Sequence, residues 1–463
     1  MSDSFKRTAL GLLAFCPEVT QGTKNTKFTA SGGTGTTATL STAGAQDNAA
    51  LAAVADDFFN GLYIYFDSAT TTTALRGKVY KITDFARVST TCTFTVGETM
   101  AGTPASGDIF YVFAPLQASG APVTFGYENL TREAFERQTL DAPTSKKGLK
   151  VVNGSFNLEL WGLEQENGNG DTPTPDRLSQ FLLAFGARRS VAGTTVSGGS
   201  STTTSVDVSD ASGLTAGDLV LINGEVRRVT ATDTVSTPDN ITVSPALSAA
   251  PADTDEVFVG ERFTPYDSGH VSHTILHLRD TQLVTAIGCV FSFGVTATFG
   301  GLVQMQCDFD GESWTIEDTI TLDGEQSTKT ALPWTIGDAY FGTTELCVNN
   351  FNFAENAGRQ QLRDTCANQR QFVTSRDASL QVVWRNTVKT PKDTWEANGT
   401  HDRILLSVGN AAGAAIAITG QGQIQDPAAM ADVEGHQYWD ASFAFRDDQT
   451  DYATALKPEI VRF

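Results

Sequence analysis

Three stretches of the chain carry residue types at spacings that could do chemistry. His270, His273 and His277 form its densest imidazole cluster. On a helix this spacing would place all three on one face, where they could ligate a metal. The run from Val271 to Leu278 alternates like a strand, however, which splits His270 from the other two and predicts solvent-facing strand histidines. Gln306-Cys307-Asp308-Phe309-Asp310-Gly311 with Glu317 fits the third, fifth, sixth and twelfth positions of a calcium loop, but Gln stands at the first and no flanking helices are expected. Acidic residues at a strand end are the simpler expectation. Gly420-Gln421-Gly422-Gln423 lacks the third glycine of a dinucleotide fingerprint and no βαβ pattern surrounds it. The chain has no GxSxG and no phosphate-loop sequence. Carboxylates are so abundant that no pair stands out as a glycosidase acid and nucleophile. The expectation is therefore a protein that is not an enzyme, with no catalytic, cofactor or metal residues.

Composition narrows the classes further. The 463 residues include 32 Lys and Arg against 53 Asp and Glu, a net charge of −21. That sign argues against gripping nucleic acid by counterion release, though not against letting it pass. With 40% apolar residues and 28 Phe the chain is too apolar to be disordered. Six Cys are scattered without CxxC spacing, which suggests reduced thiols. The apolar run from Thr8 to Phe15 is short for an export signal, and no stretch reaches the ~18 apolar residues of a membrane helix.

The elements that must position any site are strands. Short runs rich in Val, Ile, Thr and Phe alternate with Gly, Ser, Thr and Asp clusters, so the fold class is all-β. Clear period-2 ladders run from Ser155 to Trp161, from Val303 to Phe309 and from Ala441 to Phe445. One helix is well marked: Thr174 as cap, Pro175 at the first turn, a stripe of Leu178, Phe181, Leu182 and Phe185, and Gly186 after the end.

Two Thr/Ser/Ala/Gly-dense stretches repeat one another at an offset of 147. Val79-Tyr80-Lys81-Ile82-Thr83 matches Val226-Arg227-Arg228-Val229-Thr230, Phe94-Thr95-Val96 matches Ile241-Thr242-Val243, and Asp108 matches Asp255. Upstream, Gly61 to Tyr65 aligns with Asp218 to Ile222 if the first copy's hairpin is about 10 residues longer. A weaker outer repeat sets the strand ending at Trp161 with its helix beside the strand ending at Trp384 with a short helix over 391–397. The expected organisation is an N-terminal arm (1–27), a first β-module (28–117), a first β-sandwich (118–190 and 261–340) interrupted by a second β-module (191–260), and a second sandwich (341–463).

The order of these motifs resembles the major tail tube proteins of long, non-contractile-tailed bacteriophages. The resemblance rests on Arg7 to Thr23, the ladder Gly154 to Trp161, the helix ending at Phe185-Gly186, and Ile287 to Phe293 followed by Gln304 to Gly311. The second module, with Ala216-Gly217-Asp218-Leu219 and Val243 to Leu247, is similar to small β-modules of phage structural proteins. It implies two tandem tail-tube-like β-sandwiches, each with a flanking helix, in a virion protein assembled in the host cytoplasm. Three chains would make a pseudo-sixfold ring, and rings would stack into an acidic conduit that genomic double-stranded DNA passes transiently. Implied partners are further copies of the chain and the tail terminator, tape measure and distal tail proteins, with no membrane. Expected lumen-facing acids are Asp308, Asp310 and Glu312. Expected inter-ring contacts are Glu128, Arg132, Glu133, Glu136 and Arg137, together with the N-terminal arm, and the modules should face outward. The alternative is a surface adhesin or decoration protein with glycan-binding β-modules.

Overall fold

The computed structural model describes residues 12–18, 21, 27–41, 51, 54–116, 118–119, 123–130, 146–163, 175–266, 270–279, 282–318, 331–364, 368–385, 393, 395–396, 401–425, 429–433, 435–445 and 457–463. Across them the chain is almost wholly β, as its alternating pattern predicts.

Strand β1 (Leu12–Pro17) begins the body, and β2 (Lys27–Thr29), β3 (Gly32–Gly33), β4 (Thr37–Ser41), β5 (Tyr63–Phe66), β6 (Val79–Val88), β7 (Thr91–Val96) and β8 (Ile109–Leu116) form the first module. The body resumes with β9 (Ala118–Ser119), β10 (Thr124–Leu130), β11 (Lys146–Glu159), helix α1 (Arg177–Leu182) and β12 (Gly186–Arg189). The second module contains β13 (Thr194–Thr195), β14 (Ser205–Val208), β15 (Leu219–Ile222), β16 (Glu225–Asp233), β17 (Asp239–Ser244) and β18 (Glu256–Val259).

The two modules share one topology. Pairings run β2-β8-β5-β6-β7-β4 in the first and β13-β18-β15-β16-β17-β14 in the second. The register slips between Ile82 and Asp84 in one and between Val229 and Ala231 in the other, a bulge repeated at the same offset of 147. Thr83 and Thr230 donate their hydroxyls there to the carbonyls of Thr95 and Thr242. The upstream strand corrects the alignment by one residue. Tyr63 pairs with Lys81 and Leu219 with Arg228, so Tyr63 corresponds to Leu219 rather than to Val220. The second hairpin turns on Asn223-Gly224, both at positive φ, whereas the first runs from Asp67 to Gly77. The cores differ in filling. Phe28, Phe59, Phe66, Phe85, Phe94 and Phe110 pack the first, while Val206, Val220, Ile222, Val229, Ile241 and Val257 pack the second.

The rest of the chain supplies β19 (Glu261–Pro265), β20 (His273–Arg279), β21 (Gln282–Thr298), β22 (Gln304–Gly311), β23 (Ser313–Asp318), β24 (Ala339–Phe341), β25 (Thr344–Glu345), β26 (Val348–Asp364), β27 (Asn368–Arg385), β28 (His401–Ala411), β29 (Ala414–Ile424), β30 (Ala429–Val433), β31 (His436–Phe445) and β32 (Glu459–Arg462). Antiparallel pairing joins six of them to β10 and β11 in the order β10-β11-β22-β21-β26-β27-β31-β30. The first four and the last four follow the same plan: a hairpin, then a later strand beside its second arm, then that strand's hairpin partner. The β21–β26 pairing welds the two units edge to edge. The boundary drawn at 340/341 falls inside β24, which pairs with β28 of the second unit.

A second layer covers the apolar face of this sheet. It runs β12-β19-β32-β29-β28-β24 on one side and β8-β1-β20-β21-β23 on the other. Strand β21 serves both layers because it bends at Gly288, whose φ is +66°. A Cβ there would lie 2.4 Å from the Glu312 side chain, so only glycine fits. Between the layers sits α1, with Phe181 against Phe15, Phe156, Phe291 and Phe293. Its cap is Asp176, which accepts from the Ser179 amide at 2.7 Å; Thr174, the cap expected from sequence, lies outside the described residues. Helical backbone at Asp393, Trp395 and Glu396 matches the second expected helix.

Candidate functional surface

The eight-stranded sheet has two unlike faces. Phe156, Leu158, Phe291, Phe293, Val295, Met305, Cys307, Phe309, Phe351, Phe353, Leu380, Val382 and Phe443 point into the core. Alternation turns the intervening residues outward. Register then aligns them in rows across the strands. Glu159, Gln304, Thr296, Asn352, Gln381 and Ser442 are successive cross-strand neighbours. Asn157, Gln306, Gly294, Ala354 and Ser379 make a second row, and Ser155, Asp308 and Ser292 begin a third. No Lys or Arg occupies any of these positions, in a surface made of amides, hydroxyls and a few carboxylates. Gln381 donates to Asp440 at 2.9 Å, and the Ala357 amide donates to the Ser292 hydroxyl at 3.2 Å.

Of the expected lumen acids, Asp308 and Asp310 lie on this face, half-buried, with Asp310 3.1 Å from the Arg359 guanidinium. Glu312 does not. It is 6% exposed beyond the end of β22, fills the space over Gly288, and accepts from the Gln371 amide at 3.1 Å. Burial pushes its pKa up. The strand ends where the chain turns the corner into β23, so alternation no longer predicts its direction. Glu128 is on β10 with its side chain outside the described set, and Arg132, Glu133, Glu136 and Arg137 are outside the described residues altogether.

The other sequence-marked groups are structural. His273 and His277 are buried rather than solvated: β20 is an inner strand between β1 and β21. Burial lowers the His273 pKa to about 4, and its ring packs on Phe15, Phe181 and Phe291. Among the described residues no cluster of His, Cys, Asp or Glu could hold a metal ion. Gly420 and Gly422 lie inside β29, where a Cβ would strike Phe445 and Ile404. The part of the N-terminal arm described is not free: Leu13, Ala14, Phe15 and Cys16 are buried in β1. Glu18 after it accepts from the Ser272 and Thr274 hydroxyls and from the Gly288 amide at 2.6–2.8 Å. Among the described residues no helix is long and apolar enough to cross a membrane.

Two charged clusters hold the units together. Arg462 is fully buried and donates to Asp176 at 2.6 and 2.9 Å, to Ser179 at 2.9 Å and to the Gly162 carbonyl at 2.7 Å, with Glu261 3.3 Å away. It ties the last strand to α1 and to β19. At the β21–β26 weld, Glu355 is paired with Arg376, which also donates to the Phe185 carbonyl at 2.9 Å. Burial pushes the Glu355 carboxyl up to about 7 despite that cation.

The modules dock on the layer away from the polar face. Tyr65, Tyr111 and Phe113 of the first pack on Ala14, Leu276, Leu278 and Leu283. Leu219, Leu221 and Val226 of the second pack on Leu405, Ala415, Ala417, Val461 and Phe463. Because Tyr65 corresponds to Leu221, both modules use the same face. Arg177 clamps the first, 5.0 Å above the Tyr63 ring and 2.6 Å from its hydroxyl; Arg227 clamps the second, over Tyr340 and 3.0 Å from Asp338.

No protein-family model matches the sequence, and no curated protein is detectably similar to it.

Proposed function

We propose that this chain is a structural virion subunit, the major tail tube protein of a long, non-contractile-tailed phage, whose copies close into rings around a DNA conduit. One observation carries the reading. Two four-stranded units of the same order are joined through β21 and β26, and among the described residues β30 at one end and the β9–β10 edge at the other carry no further strand, edges of the same kind as those already joined. Pairing β30 with the β9–β10 edge of the next copy repeats the internal weld and removes both exposed edges.

Magnitude favours several chains. A closed barrel of eight strands has an interior just wide enough for side chains. Three chains supply about 24 strands at about 4.8 Å each, a circle roughly 37 Å across before strand tilt widens it, which admits a DNA duplex. The polar face, free of cations along its rows, would line the bore, and the modules on the opposite layer would stand outside. Tail terminator, tape measure and distal tail proteins would meet the ends of such a tube. No catalytic step or cofactor is part of this reading. Sedimentation and negative-stain microscopy of the purified chain test it: rings or hollow tubes support it, and a compact monomer at all concentrations rejects it in favour of an adhesin.

A further inference from the structure

The two modules carry one equivalent glycine whose surroundings differ. Gly61 donates its amide to the Ile82 carbonyl and Gly217 donates to that of Val229, the matching residue of the second module. Both glycines have positive φ, +84° and +107°, a conformation that other residues rarely adopt. Over Gly61 the body closes in: a Cβ there would lie 2.1 Å from the Pro175 carbonyl oxygen. Over Gly217 a Cβ would meet, within 4 Å, only Arg262 Nη1 at 3.3 Å and Arg228 Nη2 at 3.8 Å. The first module receives an electronegative oxygen at this glycine, and the second presents two guanidinium groups instead.

These arginines belong to a larger group where the second module meets β12, β19, β32 and β28. Asp218 lies 2.8 Å from Arg189 and 3.5 Å from Arg262, and Glu459 lies 3.6 Å from Arg262. Glu459 also acts on Arg403, whose pKa burial nevertheless lowers to about 10. Four guanidinium groups thus stand against two carboxylates, an excess of two positive charges in a chain whose net charge is −21. The neighbouring acids are engaged elsewhere, Glu225 and Asp338 by Arg227, and Glu261 by Arg188 and Arg462. Arg228 Nε, Arg262 Nε and Arg403 Nη1 are buried and have no hydrogen-bond partner among the described residues. Buried charged donors left unmet are costly, so three in one place point to a missing acceptor. The Arg189 and Arg262 side chains remain 35% and 20% exposed, so solvent reaches the group.

We propose that the space over Gly217, between Arg228 and Arg262, binds a phosphate-type oxyanion. Two excess positive charges match the two negative charges of inorganic phosphate or of a phosphate monoester. Guanidinium forks suit its oxygens, which supply the acceptors that these donors lack. The bound ion joins Arg228 on β16 of the module to Arg262 on β19 of the body, and it stands where the Pro175 carbonyl stands at the first module. The site lies within one chain, so it does not depend on the ring reading.

Equilibrium dialysis of the full-length chain against radiolabelled inorganic phosphate, at constant ionic strength, tests the proposal. One saturable site per chain is expected. Arg228→Gln should weaken binding by about tenfold or more, the worth of one charge-assisted hydrogen bond. Lys81→Gln, at the matching position of the first module, should bind as the wild type does. Glycerol 1-phosphate displacing the label as well as unlabelled phosphate supports the site and assigns it to monoesters; displacing it poorly supports the site and assigns it to the free ion. Lack of saturable binding by the wild type, or unchanged binding by Arg228→Gln that circular dichroism shows to be folded, overturns the proposal. Should that variant misfold, Arg262→Lys decides: it keeps the charge, loses the fork, and should still bind about tenfold more weakly. Wild-type affinity in Arg262→Lys overturns the proposal as well.

Discussion

Asp108 and Asp255 hold the same turn in two different modules. Each carboxylate accepts the amide N–H three residues earlier, Ala105 for one and Ala252 for the other, both at 2.8 Å. Each also reaches across to the hairpin between the third and fourth strands of its sheet's chain order. Asp108 takes the Thr71 and Thr72 hydroxyls and the Thr72 amide, and Asp255 takes the Asn223 side-chain amide at 2.7 Å. The long first hairpin and the two-residue second one are thus anchored by one acid at one place.

Because Asp108 is wholly buried and accepts more bonds, Asp108→Ala should cost more than Asp255→Ala, about 3 kcal/mol against about 1. Burial raises the Asp108 pKa, but the bonds from Thr71, Thr72 and Ala105 outweigh it and the net shift is downward. Its contribution is therefore full above the ordinary Asp pKa and lost as pH falls through the lowered value. Denaturant unfolding of both variants checks the ranking; equal or reversed costs would contradict it.

Removing Arg462 should be far more damaging than its single position suggests. Arg462→Met leaves Asp176 and Glu261 buried with less compensation, a loss of about 3–5 kcal/mol. Hydrogen exchange should show the loss of protection concentrated in α1, β19 and β32. A variant as stable as wild type would show that the cluster holds nothing together.

Glu355 makes the weld between the units sensitive to pH. Its folded pKa of about 7 lies above the unfolded value, so the folded state loses stability as pH rises from about 4.5 through 7. Glu355→Gln removes that titration. The wild type should therefore lose stability relative to the variant between pH 5 and pH 8. Parallel stability curves over that range would show that Arg376 already neutralises the site.

Lysines on the polar face should leave the fold alone and slow DNA. Gln306 and Gln381 are exposed and turned away from the core. With both changed to Lys, the proposed lining gains two cations per chain that DNA phosphates can neutralise. Virions carrying the double substitution should assemble normally yet release DNA more slowly at low salt. Unaltered release at every salt concentration would argue against this face as the bore.

The inner repeat could be read from the chain because identical spacings force identical registers: the bulge after Ile82 recurs after Val229. The one-residue slip at Tyr63 arose because hairpin length is invisible when the turn itself is not repeated. The burial of His273 is not legible in the sequence, since strand alternation says which residues share a face but not that Phe15, Phe181 and Phe291 pack against its ring. The amide rows were latent in Asn350-Phe351-Asn352-Phe353, a polar–apolar alternation that marks a face without saying what it faces. Glu312 could not be placed from pattern, because a corner at Gly311 ends the period that located Asp308 and Asp310.

A density map of the assembled protein tests the central claim most directly. It should show β30 of each chain hydrogen-bonded to the β9–β10 edge of the next, three chains closing one continuous barrel, and Gln306, Asn352 and Gln381 lining its interior. A map in which those edges remain unpaired, or in which the amide rows lie on the outside, would contradict the account.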